Sequence, residues 1–134
     1  MISSTVELRN VAGTEAALGW AGSHTLVVDR PEGKAGGQGL GFNGAQLLAL
    51  AIGGCFCNDL RYAGHEMGIA IEEIAVEVTL QLDGFPLVAV GADLAVNCKA
   101  ADGIDTAALI EQARSVCTVA NSVMRGFPVT FRTG

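Results

Sequence analysis

The side chains with redox or nucleophilic chemistry to offer are four thiols, Cys55, Cys57, Cys98 and Cys117. The thiolate is the reactive form of cysteine, so what surrounds each one decides what it can do. Cys98 falls on the apolar face of an alternating stretch and reads as a small buried hydrophobe. Cys57 lies two residues from Cys55, about 200° round a helix, so the two do not face one site and Cys57 reads as packing. Cys55 and Cys117 each sit in an apolar helical stretch. If those helices pack together, the two sulfurs come within disulfide reach, which requires Cα atoms closer than about 7 Å. Asp59 follows Cys55 by one helical turn, and on a shared face its charge disfavours the thiolate.

Other uses of these residues fit poorly. Structural zinc favours paired C-x2–4-C knuckles with a second Cys or His pair. Here the local spacing is C-x-C, and His24 and His65 stand singly. The spacing therefore predicts no metal centre, and no cofactor is expected. The run Gly36-Gly37-Gln38-Gly39-Leu40-Gly41 lacks the Lys-Ser/Thr of a phosphate-binding loop and does not lie in a βαβ unit. There is no Gly-x-Ser-x-Gly elbow.

The elements that must position the thiols follow from periodicity. Residues 5–9, 16–20 and 24–29 are rich in β-formers and read as strands, followed by an irregular loop from Pro31 to Gly41. Asn43 with Gln46 three residues on predicts a capping box and a helix running to about Ala63, ended by Gly64 or Gly68. Its first half is apolar on every side, which predicts burial all round, in a core or a subunit interface. Gly53-Gly54 inside it predicts close approach of another backbone, expected to be a second helix. Ile74, Val76, Val78, Leu80 and Leu82 then alternate with polar residues. After a turn at Asp83–Pro86, Val88, Val90, Ala92, Leu94, Val96 and Cys98 alternate in the same way, predicting a long antiparallel hairpin. Asp105 or Thr106 caps a second helix carrying Leu109, Ile110, Ala113, Val116 and Cys117 on one stripe. Phe127, Val129 and Phe131 predict a last strand, which Pro128 confines to an edge. Strands and helices are segregated, so the class is α+β, with the central helix packed on a curved antiparallel sheet.

Bulk properties narrow the function. The chain has 134 residues, half of them apolar, which fits one domain spanning 1–134 with a single core. A net charge of −6 at pH 7, with only eight Lys and Arg scattered along the chain, argues against nucleic acid and weakly against anionic membranes. The longest uncharged apolar run, Leu47 to Cys57, is shorter than the roughly 18 residues that span a bilayer. Met1 to Glu7 has no basic or apolar leader character, which points to the cytoplasm, where thiols stay reduced.

Several segments together resemble the OsmC/Ohr family, the osmotically inducible protein C and organic hydroperoxide resistance proteins. Gly41-Phe42-Asn43-Gly44-Ala45-Gln46-Leu47-Leu48, running on to Gly53-Gly54-Cys55-Phe56, resembles the family's helix start and its approach to the peroxidatic cysteine. Cys117-Thr118-Val119-Ala120-Asn121-Ser122-Val123 resembles the segment with the resolving cysteine. His24 to Pro31 followed by Gly36-Gly37 is similar to the OsmC-like branch, and Gly64 to Val78 fits the family's helix end and next strand. The resemblance covers about residues 20–134. It implies an intertwined homodimer with active sites at the interface and peroxiredoxin-like chemistry, with Cys55 peroxidatic, Cys117 resolving and an external thiol as reductant. The apolar surroundings of Cys55 suit small apolar organic hydroperoxides. Where the family has proline and an acid at the helix start, this chain has Gly44 and Ala45, and Thr118 replaces the proline after the resolving cysteine. The family's activating arginine has no counterpart near Gly13-Thr14, leaving Arg9, Arg30, Arg61 and Arg125 as candidates.

Two functions remain open on this reading. The first is a thiol-dependent hydroperoxide reductase using Cys55 and Cys117. The second is a non-catalytic homodimeric domain of the same fold that binds a small apolar ligand or senses oxidants.

Overall fold

The computed structural model describes residues 1–134 as two compact units, Met1–Leu48 and Ala49–Gly134. In the first unit, β1 (Glu7–Asn10), β2 (Ala17–Ala21) and β3 (His24–Val28) form an antiparallel meander in that order. Ala21 pairs with His24 across a two-residue turn, and Gly22 supplies the positive φ of 58° that such a turn needs.

The loop after β3 has no regular structure, as its glycines predict, yet it is held by one side chain. Asp29, 4 % exposed, accepts backbone N–H bonds from Arg30 at 2.8 Å, Gln38 at 3.1 Å and Leu40 at 3.0 Å. The Arg30 guanidinium lies 3.3 Å away. Gly37 has to be glycine: a Cβ there would lie 2.7 Å from the Arg30 and Pro31 carbonyl oxygens, and one on Gly41 would run into the Val27 carbonyl.

The Leu40 amide, with those of Gln38 and Arg30, holds the Asp29 carboxyl below its ordinary range against the opposing effect of burial. A carboxyl whose pKa falls on folding stabilises the fold above its unfolded value near 3.8, and that stabilisation is lost as pH drops through the lower folded value. Asp29→Asn, which turns an amide group toward three N–H donors, is therefore expected to lower the melting temperature at pH 7. The gap from wild type should close as the buffer is taken to pH 3 and below. A gap that is equal at both pH values would rule out this role for Asp29.

The helix α1 (Gly44–Met67) begins as expected. The Gln46 N–H donates to Asn43 Oδ1 at 2.9 Å and the Asn43 N–H donates to Gln46 Oε1 at 3.0 Å, closing the capping box. The helix runs past Ala63 to Met67. Gly68, at φ 69°, then ends it, with the Ile69 N–H donating to the Gly64 carbonyl at 2.8 Å and the Gly68 N–H to His65 at 3.4 Å. This pair of bonds is a Schellman stop.

In the second unit, β4 (Ile71–Asp83) and β5 (Val88–Ala100) form the long hairpin, followed by α2 (Ala107–Val116) and α3 (Thr118–Arg125). The core joins Phe56, Leu60 and Ala63 of α1 to Cys98 of β5, Leu109 and Ala113 of α2, and Cys117. Ile74, Val76, Leu94 and Val96 pack against it, so the alternation in β4 and β5 lays one face of the hairpin on the helices. Cys98, 8 % exposed, is a core residue as expected. The antiparallel strands of the chain thus fall in two sheets, one of three strands and one of two.

Four expectations are corrected. First, the partner of Gly53 is a strand, because a Cβ there would lie 2.8 Å from Val78 Cγ2 of β4, while Gly54 meets nothing. Second, of the two places expected to bury α1 all round, the core of one chain covers only Ile52, Gly53, Phe56, Leu60, Ala63 and Gly64 and leaves Leu50, Ala51 and Gly54 exposed. Third, the alternation in β5 breaks near the tip. Gln81 pairs with Gly91 but Leu82 pairs with Ala89, which leaves Val90 as the extra residue of a bulge and sets Val88 opposite Asp83. Fourth, residues 127–131 form no strand, and Phe127, Val129 and Phe131 are exposed. Alternation supplies a strand's apolar face, but only a neighbouring strand supplies its hydrogen bonds.

Candidate functional site

Cys55 and Asp59 lie one turn apart on α1, and i,i+4 spacing puts them on one face. The Cys55 thiol donates to Asp59 Oδ2 at 3.6 Å. Cys55 and Asp59 are both half-buried residues. Cys117 comes from the far end of the chain, at the joint between α2 and α3. Its backbone is extended (φ −63°, ψ 106°), which breaks the helical run and turns its side chain into the core at 1 % exposure. The α3 helix escaped sequence reading because Thr118, Val119, Asn121 and Ser122 are weak helix formers.

The result is a cluster. A ligand atom of each of Cys55, Asp59 and Cys117 lies within 4.8 Å of the other two. All four cysteines are free thiols. Cys57 and Cys98 stay outside the cluster, as helix geometry and burial require. Asp59 does share the face of Cys55, so the carboxylate considered from sequence is part of the site. This group of two thiols and a carboxylate could also hold a soft or borderline cation. Spacing along the chain did not reveal it, because its third member arrives through tertiary packing.

The electrostatics of the cluster are one-sided. Burial pushes the Cys117 thiol above its ordinary pKa, and the neighbouring Cys55 and Asp59 push the same way; the Ala120 N–H, from the first turn of α3, pulls it back in part. Cys98 is likewise raised by burial, with some relief from Arg61. No cation of the second unit pairs with Asp59: its ion pairs are Lys99–Glu73 and Arg114–Glu111, and Arg30–Asp29 lies within the first unit. Of the arginine candidates, Arg61 donates to the Ile71 carbonyl at 3.3 Å, Arg30 donates to the Glu15 carbonyl at 2.6 Å, and Arg9 lies 5.9 Å from the Trp20 ring centroid. Arg125 lines a groove of about 440 Å³ with Val116, Thr118, Asn121, Ser122 and Phe127. That groove borders both neighbours of Cys117 but neither thiol of the cluster.

No helix is long and apolar enough to cross a membrane. The family model for OsmC-like proteins matches residues 36–132, a stretch that contains α1, the hairpin and the whole cluster. No curated protein matches the sequence. Among solved structures, an OsmC-like protein of unknown function from Vibrio cholerae superposes with a TM-score of 0.77 at 9 % identity, covering 91 % of this chain and 94 % of that one. An OsmC-like protein from Mycoplasma pneumoniae gives 0.76 at 14 % identity, over 92 % and 88 %. An organic hydroperoxide resistance protein, OsmC, from Legionella pneumophila gives 0.63 at 20 % identity, over 92 % and 90 %. With Cys55 on α1, the hairpin packed beside that helix, Cys117 brought to Cys55 at the end of α2, and a family match over residues 36–132, the chain belongs to the OsmC-like protein family.

Proposed function

We propose that the protein is a thiol-dependent reductase of organic hydroperoxides, with Cys55 as the attacking thiol and Cys117 as the resolving one. The observation that carries this is the meeting of the two sulfurs. They are far apart in sequence, both are free, and both lie in a cluster no more than 4.8 Å across. The Cys55 thiolate attacks one peroxide oxygen; an S–O bond forms, the O–O bond breaks, and the alkoxide leaves and takes a proton as the alcohol. The Cys117 thiolate then attacks the sulfenic sulfur, forming the disulfide and expelling hydroxide, which is protonated to water. An external dithiol resets the pair and is itself oxidised. Cytoplasmic reducing conditions suit such a cycle.

A second copy of the chain is part of this reading. Within one chain Leu50, Ala51 and Gly54 on α1 and the apolar tail Phe127, Val129 and Phe131 stand uncovered. A homodimer that covers these surfaces would also wall the approach to Cys55 for an apolar substrate. The expected mass in analytical ultracentrifugation is that of two chains; a monomer at micromolar concentration counts against the dimer.

The test is intact-mass spectrometry of reduced protein after brief exposure to one equivalent of cumene hydroperoxide, with peptide mapping. The expected result is loss of two hydrogens per chain, mapped to a Cys55–Cys117 bridge. Because the Cys117 pKa is raised, its thiolate fraction at neutral pH is small, so closure of that bridge should speed up with rising pH until the raised value is passed. The competing reading, a non-catalytic domain that binds an apolar ligand or registers oxidants, is favoured by the lack of an ion pair between Asp59 and any cation of the second unit. Slow oxidation spread over all four cysteines would support it.

A further inference from the structure

We propose that Cys55, Asp59 and Cys117 form a binding site for a divalent thiophilic cation of the zinc type, with a fourth coordination position left open. The site does not depend on peroxide chemistry, and it uses the two sulfurs that the proposed disulfide would use, so cation and disulfide exclude each other.

Three features support it. The first is chemical type: two thiolates and a carboxylate are all zinc ligands, and a set of three leaves the fourth position open. The second is distance. With Zn–S of about 2.3 Å and Zn–O of about 2.1 Å at tetrahedral angles, ligand separations are about 3.6 Å for S···O and about 3.8 Å for S···S. The Cys55 sulfur already lies 3.6 Å from Asp59 Oδ2, and every pair in the cluster lies within 4.8 Å. Closing the remaining gap takes about 1 Å at most, within the reach of a side-chain adjustment.

The third feature is charge. Ionised, the three groups would carry three negative charges around a Cys117 that is 1 % exposed, and Asp59 takes part in none of the three ion pairs of the chain. Buried like charges stay ionised together only with a compensating cation. Two ligands come from one face of a helix anchored by its own cap, so they hold their separation without ordering a loop.

The test uses the reduced full chain, stripped of metal with a chelator and titrated anaerobically with Co²⁺, then with Zn²⁺ in competition. The expected result is one Co²⁺ per chain with sulfur-to-cobalt charge-transfer absorption, displaced by Zn²⁺. Cys55→Ser and Cys117→Ser should each weaken binding by about 100-fold or more, since even an outer-shell partner is worth about 10–100-fold. Asp59→Asn should weaken it by about tenfold or more, while Cys57→Ser and Cys98→Ser should leave it unchanged. As a readout that needs no variant to fold, bound Zn²⁺ should protect the half-buried Cys55, but not the half-buried Cys57, from iodoacetamide in wild-type protein. Absence of the charge-transfer band, or equal protection of Cys57, overturns the proposal. No peroxide is present in this assay, so its outcome is independent of the peroxidase result.

Discussion

Cys55→Ser protein is expected to lose cumene hydroperoxide reduction by roughly 10³-fold or more, the scale seen when the nucleophile of a working unit is removed. A serine hydroxyl cannot take up the peroxide oxygen as a stable sulfenic acid does, so neither burst nor turnover should survive. Cys117→Ser should behave differently. One equivalent of peroxide should still be consumed, leaving Cys55 as a sulfenic acid that a dimedone probe traps, but the internal disulfide cannot close. Cys98→Ser should leave the rate near wild type, because Cys98 sits in the core outside the cluster. The measurement is a coupled assay with a dithiol reductant, run beside single-turnover mass spectrometry. If Cys55→Ser keeps its rate, or if Cys117→Ser still forms a bridge, the roles given to the two thiols are wrong.

The second large effect is on stability. Leu60 is 0 % exposed and sits in the cluster that joins α1 to Leu109, Ala113 and Cys117. Leu60→Ala removes three buried carbons and leaves a cavity between two helices and the hairpin, which limits how far the surroundings can collapse. The expected loss is about 3 kcal/mol, seen as a fall in melting temperature of about 10 °C. Leu50, on the same helix but 48 % exposed in one chain, provides the contrast. Leu50→Ala should cost under about 0.5 kcal/mol if that face meets water. A larger loss that grows as the protein is diluted would mean that a second copy covers α1. Urea titrations followed by circular dichroism at two protein concentrations separate these outcomes. A Leu60→Ala protein as stable as wild type would show that the core packs differently.

Much of the architecture could be read from local pattern. The Asn43/Gln46 capping box, the alternation of β4, the three strands near the N-terminus and the core position of Cys98 all depend on residues near one another in sequence, and all are found where expected. Local pattern misled where a partner decides the outcome. Gly53 announced a close approach, but not that Val78 of a strand would make it. The tail from Phe127 to Phe131 has the alternation of a strand, yet forms none without an edge to pair with. The bulge at Val90 is invisible in composition, because apolar residues stand on both sides of it.

The site divides in the same way. By itself the sequence determined which residues carry thiol chemistry, that Cys55 and Asp59 are one helical turn apart, that Cys57 faces elsewhere, and that Cys55 and Cys117 resemble the paired thiols of the OsmC/Ohr family. Those are matters of residue type and helical period, which act over a few residues. Only the tertiary structure decided that Cys117 meets the Cys55–Asp59 pair and that no arginine of the second unit answers their charge. Those depend on the break at Cys117, which ends one helix and starts another so that a side chain from the far end of the chain turns into the core. A long-range meeting of this kind is set by how apolar faces close on one another, and no spacing along the chain encodes it.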